Sequence, residues 1–295
     1  MNKIIILLLF SVTIASAQSI DEPIEREYSD LSSNNKAIVK GYFDSLQSIE
    51  EKTPNELMVL AALSFLNTPY VANTLEVNNE EQLVVNLSEL DCMTFVENCI
   101  ALSRTVQYPS PDYEYFVREL KKIRYRDGLI NGYTSRLHYT SDWINNNTKK
   151  DVIEDITYAL GGKKFKPNVN YMSTHPNSYP ALRKNKQDVE AMVEIENQIN
   201  QRNNYFFIPR NEINEKASLI KSGDIICFTT KLPGLDISHL GIAYWNKNQL
   251  SFIHASSKAK KVIINPESIS EYCQLNKNNT GIIILRTLNQ VTGDK

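Results

Sequence analysis

The residues with the clearest capacity for chemistry are one cysteine and two histidines, Cys92, His239 and His254, in a chain of 295 residues that holds four of each type. A cysteine is a nucleophile as its thiolate, and it needs a base nearby and donors for the oxyanion of a tetrahedral intermediate. Asp91 and Cys92 open an apolar-periodic stretch over 92–104, so Asp91 reads as an N-cap and Cys92 as the first helical residue. The unpaired N–H groups and the positive end of the helix dipole then face the sulfur, lower the thiol pKa and supply oxyanion donors. Taken alone, a cysteine at a helix start is more often structural.

The histidines change that weighting. His239 and His254 fall on two strand-like runs, 237–245 and 249–255, joined across 246–249. An even-length loop puts both rings on one face of the hairpin, and an odd loop puts them on opposite faces. With the even loop, one histidine takes the thiol proton and the second fixes its tautomer and orientation. Two alternatives stay open: a pair of structural histidines, and a zinc site drawn from Cys227, His239 and His254 or from Asp236 with the histidines. No His-x-x-x-His or Cys-x-x-Cys pair favours zinc, and no metal or other cofactor is expected.

The elements that must position these groups are helices first and strands afterwards. Helical spacing runs over 54–66, with Thr53 as N-cap, Pro54 at the first position and Asn67-Thr68-Pro69 as the stop. The middle, about 107–214, mixes helical pieces (110–123, 188–201) with polar loops and reads as an insertion, not a second domain. Short strands follow at 224–229, 237–245, 249–255, 261–264 and 281–286, which predicts an α+β fold.

Lys3, an apolar run over 4–10 and Ala15-Ser16-Ala17 have the form of a signal peptide over 1–17, too short to span a bilayer. The expected organisation is then an extension over 18–44 and a single domain over 45–290, exported to the periplasm or secreted, with no later membrane span. Interspersed charges, 32 basic and 34 acidic for a net −2, leave no stripe for nucleic acid and favour a mixed-charge substrate. The chain is expected to act as a monomer. Cys92 and Cys99 lie roughly 10 Å apart on one helix, beyond disulfide reach. Cys227 and Cys273 can meet in principle, although Cys227 sits in an apolar strand where a free thiol packs as a small hydrophobe.

In order along the chain, Asn67-Thr68-Pro69-Tyr70-Val71, Asp91-Cys92, Ser222-Gly223-Asp224-Ile225-Ile226-Cys227-Phe228, Ser238-His239-Leu240-Gly241 and Phe252-Ile253-His254-Ala255-Ser256 resemble the NlpC-type papain-like cysteine peptidases of bacterial cell walls. The resemblance implies a papain-like fold, a catalytic triad of Cys92, His239 and His254, and Tyr70 and Ser238 at the substrate. Asp91-Cys92-Met93-Thr94-Phe95-Val96-Glu97, Arg124-Tyr125-Arg126-Asp127-Gly128 and the stretch from Arg136 through His138, Tyr139, Asp142 and Trp143 to Ile144 are similar to the branch of N-acetylmuramoyl-L-alanine amidases. That branch releases the stem peptide from muramic acid and prefers anhydro-muropeptide fragments, so peptidoglycan fragments are the implied partner. An endopeptidase cutting the γ-D-glutamyl-diamino acid bond of the stem, and a non-catalytic wall-binding module, remain the rival readings. Arg136, Tyr139, Asp142 and Trp143 suit a sugar site, with aromatic faces for a pyranose and polar groups for its hydroxyls. Tyr139 and Trp143 are equally placed, four residues apart, to pack on one buried helical stripe.

Overall fold

The computed structural model describes residues 28–46 and 49–290; the expected signal peptide lies outside them. Ten helices are described: α1 Tyr28–Ser45, α2 Pro54–Ser64, α3 Cys92–Thr105, α4 Tyr113–Arg124, α5 Thr140–Lys149, α6 Tyr171–Thr174, α7 Pro180–Lys184, α8 Lys186–Gln201, α9 Ile213–Lys216 and α10 Ile269–Leu275. The strands are β1 Ile153–Asp155, β2 Lys163–Lys164, β3 Phe206–Pro209, β4 Ile225–Thr230, β5 Ile237–Asn246, β6 Gln249–Ser256, β7 Lys261–Ile264 and β8 Asn279–Thr287. They form one antiparallel sheet in the order β2-β3-β8-β4-β5-β6-β7, with β1 also on β8. The fold is α+β. No helix among the described residues is long and apolar enough to cross a membrane.

The central strands are apolar on both faces because both are covered. Alternate residues of β4 divide the core: Ile225 and Cys227 face a cluster with Phe95, Val96 and Cys99 of α3, whereas Ile226 and Phe228 face one with Ile269 and Cys273 of α10. Cys227 and Cys273 therefore lie on opposite sides of the sheet, and all four cysteines are free. Helix α1 joins the first cluster through Val39 and Tyr42.

Local signals hold where they are strongest. Thr53 caps α2 in a reciprocal capping box with Glu56, and Asp91 does the same for α3 with Thr94. The middle segment adds three short strands that no periodicity announced. They are two to four residues long, and β1 and β3 exist by pairing with β8. The same segment supplies α4, whose Arg124 meets Glu97 of α3 at 2.7 Å in a pair that is almost fully buried. Such a pair confers geometry more than net stability, yet removing one partner strands a buried charge at a cost of about 3–5 kcal/mol.

Gly223 and Asp224 owe their place to architecture. Gly223 has φ +92°, and a Cβ there would sit 2.2 Å from the Asn55 carbonyl oxygen of α2. The Asp224 carboxylate accepts from Asn55 Nδ2 at 2.9 Å and from Arg286 of β8 through two bonds of 2.8 Å. Together they pin the start of β4 to α2 and to its neighbouring strand. Gly241 is a second tight place, since a Cβ would lie 2.5 Å from the Phe252 ring and 3.1 Å from Cβ of His254. Gly241→Ala must push β6 away, so a loss of about 1–3 kcal/mol is expected; urea denaturation checks it, and an unchanged midpoint would contradict the tight apposition.

Candidate active site

The site assembles where the first turn of α3 meets β5 and β6. Asp91 leaves the helix start open: its carboxylate accepts from Thr94 N at 2.8 Å while Thr94 Oγ1 accepts from Asp91 N at 2.9 Å. The backbone N–H groups of Cys92, Met93 and Leu240 turn toward the Cys92 sulfur. Leu240 follows His239 on β5, so the thiol lies against the strand that carries the histidine.

The hairpin has the even loop. Asn246 faces Gln249 and Ile242 faces Ile253, so His239 and His254 are diagonal neighbours on one face. His239 Nε2 lies 2.6 Å from His254 Nδ1, and His254 Nε2 lies 3.3 Å from Asn265 Oδ1. The Tyr272 ring of α10 packs against both imidazoles, with centroids 5.9 Å from each. A cleft of about 700 Å³ opens beside them, lined by His239, His254, Asn265, Tyr272, Lys258 and Lys277 among others.

The electrostatics depart from the helix-start expectation. Burial, and then the Asp91 carboxylate, push the Cys92 thiol up to about 12, against the lowering effect of the Leu240, Cys92 and Met93 N–H groups. Burial, reinforced by His254, pulls His239 down to about 3, and burial pulls His254 down to about 4 against the Asn265 hydrogen bond. In the free protein near neutral pH all three groups are uncharged. Desolvation outweighs the helix terminus because each partial charge there is small, although the Cys92 side chain is half-buried and not fully enclosed.

The remaining sequence candidates divide. Tyr70 stands beside the site: burial, and after it the nearness of Cys92 and Asp91, raises its phenol. Ser238 points to the other side of β5, its hydroxyl 2.7 Å from Asn279 Oδ1 and 3.2 Å from the Phe228 carbonyl oxygen. Arg136 is buried on Glu76 at 2.5 Å, with Glu81 at 3.3 Å. Asp142 is buried between Arg126 at 2.7 Å and Arg202 at 2.6 Å. Trp143 is fully enclosed in the main core, and the buried Tyr139 donates to Glu196 at 2.7 Å. The packing alternative for both rings is the one the structure adopts, and the open sugar surface expected from Arg136, Tyr139, Asp142 and Trp143 is not formed, because the polar ends of Arg136, Tyr139 and Asp142 already have internal partners and Trp143 is enclosed with its Nε1 unpaired among the described residues.

Zinc is not favoured by the arrangement either. Cys227 opposes Leu240 and Phe228 opposes His239, so Cys227 faces away from the histidines, and the Asp236 carboxylate accepts from Ser141 N and Ile237 N. Among the described residues no cluster of three metal-ligating side chains occurs.

The residues missed by sequence reasoning are Asn265, Glu267 and Tyr272. Parity carried a signal for the first, because Ile263 opposes His254 on β7 and Asn265 continues the same alternation. Tyr272 comes from a helix remote in sequence and had no local signal.

Two neutral histidines, His254 buried and His239 half-buried, make stability depend on pH. An unfolded histidine titrates near 6.5, so below that value the unfolded chain binds more protons and stability falls as pH drops toward the folded values of about 3 and 4. The expected slope is about 1.4 kcal/mol per pH unit for each histidine. Urea midpoints from pH 7 to pH 5 should fall more steeply for the natural chain than for a His239→Gln, His254→Gln variant; parallel profiles would show that the rings are charged in the folded state.

Comparison with known proteins identifies relatives of the chain as a whole. The model of the AmiA-like family, described as N-acetylmuramoyl-L-alanine amidase-like, matches residues 61–282. An N-acetylmuramoyl-L-alanine amidase from Bacteroides uniformis ATCC 8492 is 39% identical, with a TM-score of 0.76 over 79% of this chain and 99% of that one. A Bacteroides fragilis protein described as a putative xylanase is 42% identical, with a TM-score of 0.74 over 78% of this chain and all of that one. A Legionella pneumophila protein shares the fold at 23% identity, with a TM-score of 0.66 over 88% of this chain and 96% of that one. No curated protein matches the sequence. With a family model spanning well over half of its length and a solved relative near two-fifths identity, the chain belongs to the AmiA-like, N-acetylmuramoyl-L-alanine amidase-like family.

Proposed function

We propose that the protein is an exported cysteine amidase of the NlpC-type papain-like group that hydrolyses the N-acetylmuramoyl-L-alanine bond of peptidoglycan fragments, anhydro-muropeptides in particular, during wall turnover. The observation that carries the cysteine chemistry is the placement of the Cys92 sulfur at the Leu240 N–H, one residue from a histidine that is hydrogen-bonded at 2.6 Å to a second histidine. Family membership supports the bond.

The resting groups are neutral, so proton transfer accompanies attack. As the Cys92 sulfur bonds to the lactyl carbonyl carbon, His239 takes the thiol proton and the carbonyl oxygen becomes an oxyanion. The N–H groups at the start of α3 are the donors available to it. Collapse breaks the C–N bond as His239 passes its proton to the departing L-alanine nitrogen, leaving a thioester on Cys92. Water, deprotonated by His239, then attacks the thioester, releases the lactyl carboxyl group and restores the thiol. Tyr70 is assigned to the wall of the substrate site, and the buried set around Arg136 and Asp142 to its shape.

A glycosidase reading, prompted by the xylanase description of one neighbour, meets an obstacle. Two carboxyl groups flanking the scissile bond are needed, and among the described residues that line the cleft beside the histidines the one carboxyl group is that of Glu267, already bonded to Asn265.

Purified anhydro-muropeptide should yield a free peptide beginning with L-alanine, read by mass spectrometry; a sugar-linked dipeptide would identify the endopeptidase instead. Cys92→Ala should abolish cleavage, and His239→Ala should lower kcat roughly a hundred- to ten-thousand-fold. Full activity in Cys92→Ala would overturn the cysteine mechanism, whereas absence of any cleavage in the natural chain would leave the wall-binding module as the better reading.

A further inference from the structure

Behind His254 the side chain of Asn265 closes the row of rings. Asn265 is 6% exposed, and its backbone is seated independently: its N–H donates to the Phe252 carbonyl at 2.8 Å, and its carbonyl accepts from Ser251 Oγ at 2.5 Å. The amide side chain is therefore not needed to continue the strand pairing. Its Nδ2 lies 3.0 Å from the Glu267 carbonyl oxygen and 3.0 Å from Glu267 Oε2. A carbonyl and a carboxylate only accept, so both contacts require the NH₂ end of the amide to point at Glu267. Oδ1 is left facing His254 Nε2 at 3.3 Å.

That orientation propagates through two rings. Oδ1 only accepts, so His254 Nε2 carries a proton, and a neutral imidazole then has a bare Nδ1. His239 Nε2, 2.6 Å from that bare nitrogen, must be its donor. His239 in turn keeps its lone pair on Nδ1. The reverse order sets two N–H groups or two lone pairs against each other somewhere along the row, or demands a charged ring where burial disfavours one. Tyr272, packed against both imidazoles, limits their rotation out of this alignment.

We propose that Asn265, oriented by Glu267, is a positioning residue that sets the tautomers of both histidines, so that Nδ1 of His239 is the atom that receives the thiol proton. The proposal rests on His239 being the base in the cysteine mechanism. Asn265 acts through His254 and touches no reacting atom.

The test is nitrogen NMR of the full chain with ¹⁵N-labelled histidine near pH 7, combined with kinetics on anhydro-muropeptide. In the natural chain His239 and His254 should each appear as a single Nε2–H tautomer. In Asn265→Ala both should drift to mixed tautomers, with kcat lowered and KM nearly unchanged. The kcat loss should resemble the about 10–100-fold seen when the partner that fixes a metal-bound histidine is removed. A natural chain with His239 protonated on Nδ1 would overturn the proposal, as would an Asn265→Ala variant with unchanged tautomers and kcat. If Asn265→Ala does not fold, the spectrum of the natural chain decides alone. Cleavage by Cys92→Ala would sink the cysteine mechanism instead, and the histidine spectrum is independent of that outcome.

Discussion

The register of the β5–β6 hairpin is the constraint on which the rest of the site depends. A side chain on a strand has two faces to choose from, and a slip of one residue exchanges them for every position at once. With Asn246 opposite Gln249, His239 and His254 share a face and Gly241 lies across from His254. The absent Cβ at Gly241 lets β6 approach closely enough for the two rings to bond. Leu240, between them in sequence, puts its side chain into the core under α3 and its N–H at the sulfur. One strand thus presents the base on one face and secures the nucleophile's helix on the other.

Burial decides the charge state of the ensemble. Opposite shifts of a thiol and of imidazoles have the same origin, because removal from water penalises the charged form of each. A thiolate paired with an imidazolium is therefore not the resting state, and the helix terminus supplies directed N–H groups more than a free-standing thiolate. Those groups are already oriented in the folded protein, so no reorganisation accompanies charge formation on an oxyanion beside them.

Ion pairs buried in the middle segment hold the frame around the site. Glu97 leaves α3 to meet Arg124, Asp142 sits between Arg126 and Arg202, and Arg136 is held by Glu76. These contacts link α3, α4, α5 and the loop before α3, so the insertion is tied into the body of the fold and contributes strands to the same sheet. Charged residues that resemble a polar recognition surface when read along the chain are here consumed internally.

How much was legible in the residues follows from the range of the forces concerned. Capping at Thr53 and Asp91, the helices they begin and the strands after residue 224 depend on neighbours in sequence or across a tight turn, and the sequence by itself determined them; for His239 and His254 it offered two faces, and the loop register chose the shared one. The short strands β1 and β3, the burial of Tyr139 and Trp143, and the partners of Arg136 and Asp142 depend on contacts with remote segments. The tertiary structure alone decided these, because a helical stripe of aromatic residues has the same spacing whether it meets a sugar or a core. The same holds for the Cys92 thiol: a helix start can be read from the sequence, but desolvation is a sum over everything packed around the sulfur, and here that sum outweighs the helix terminus.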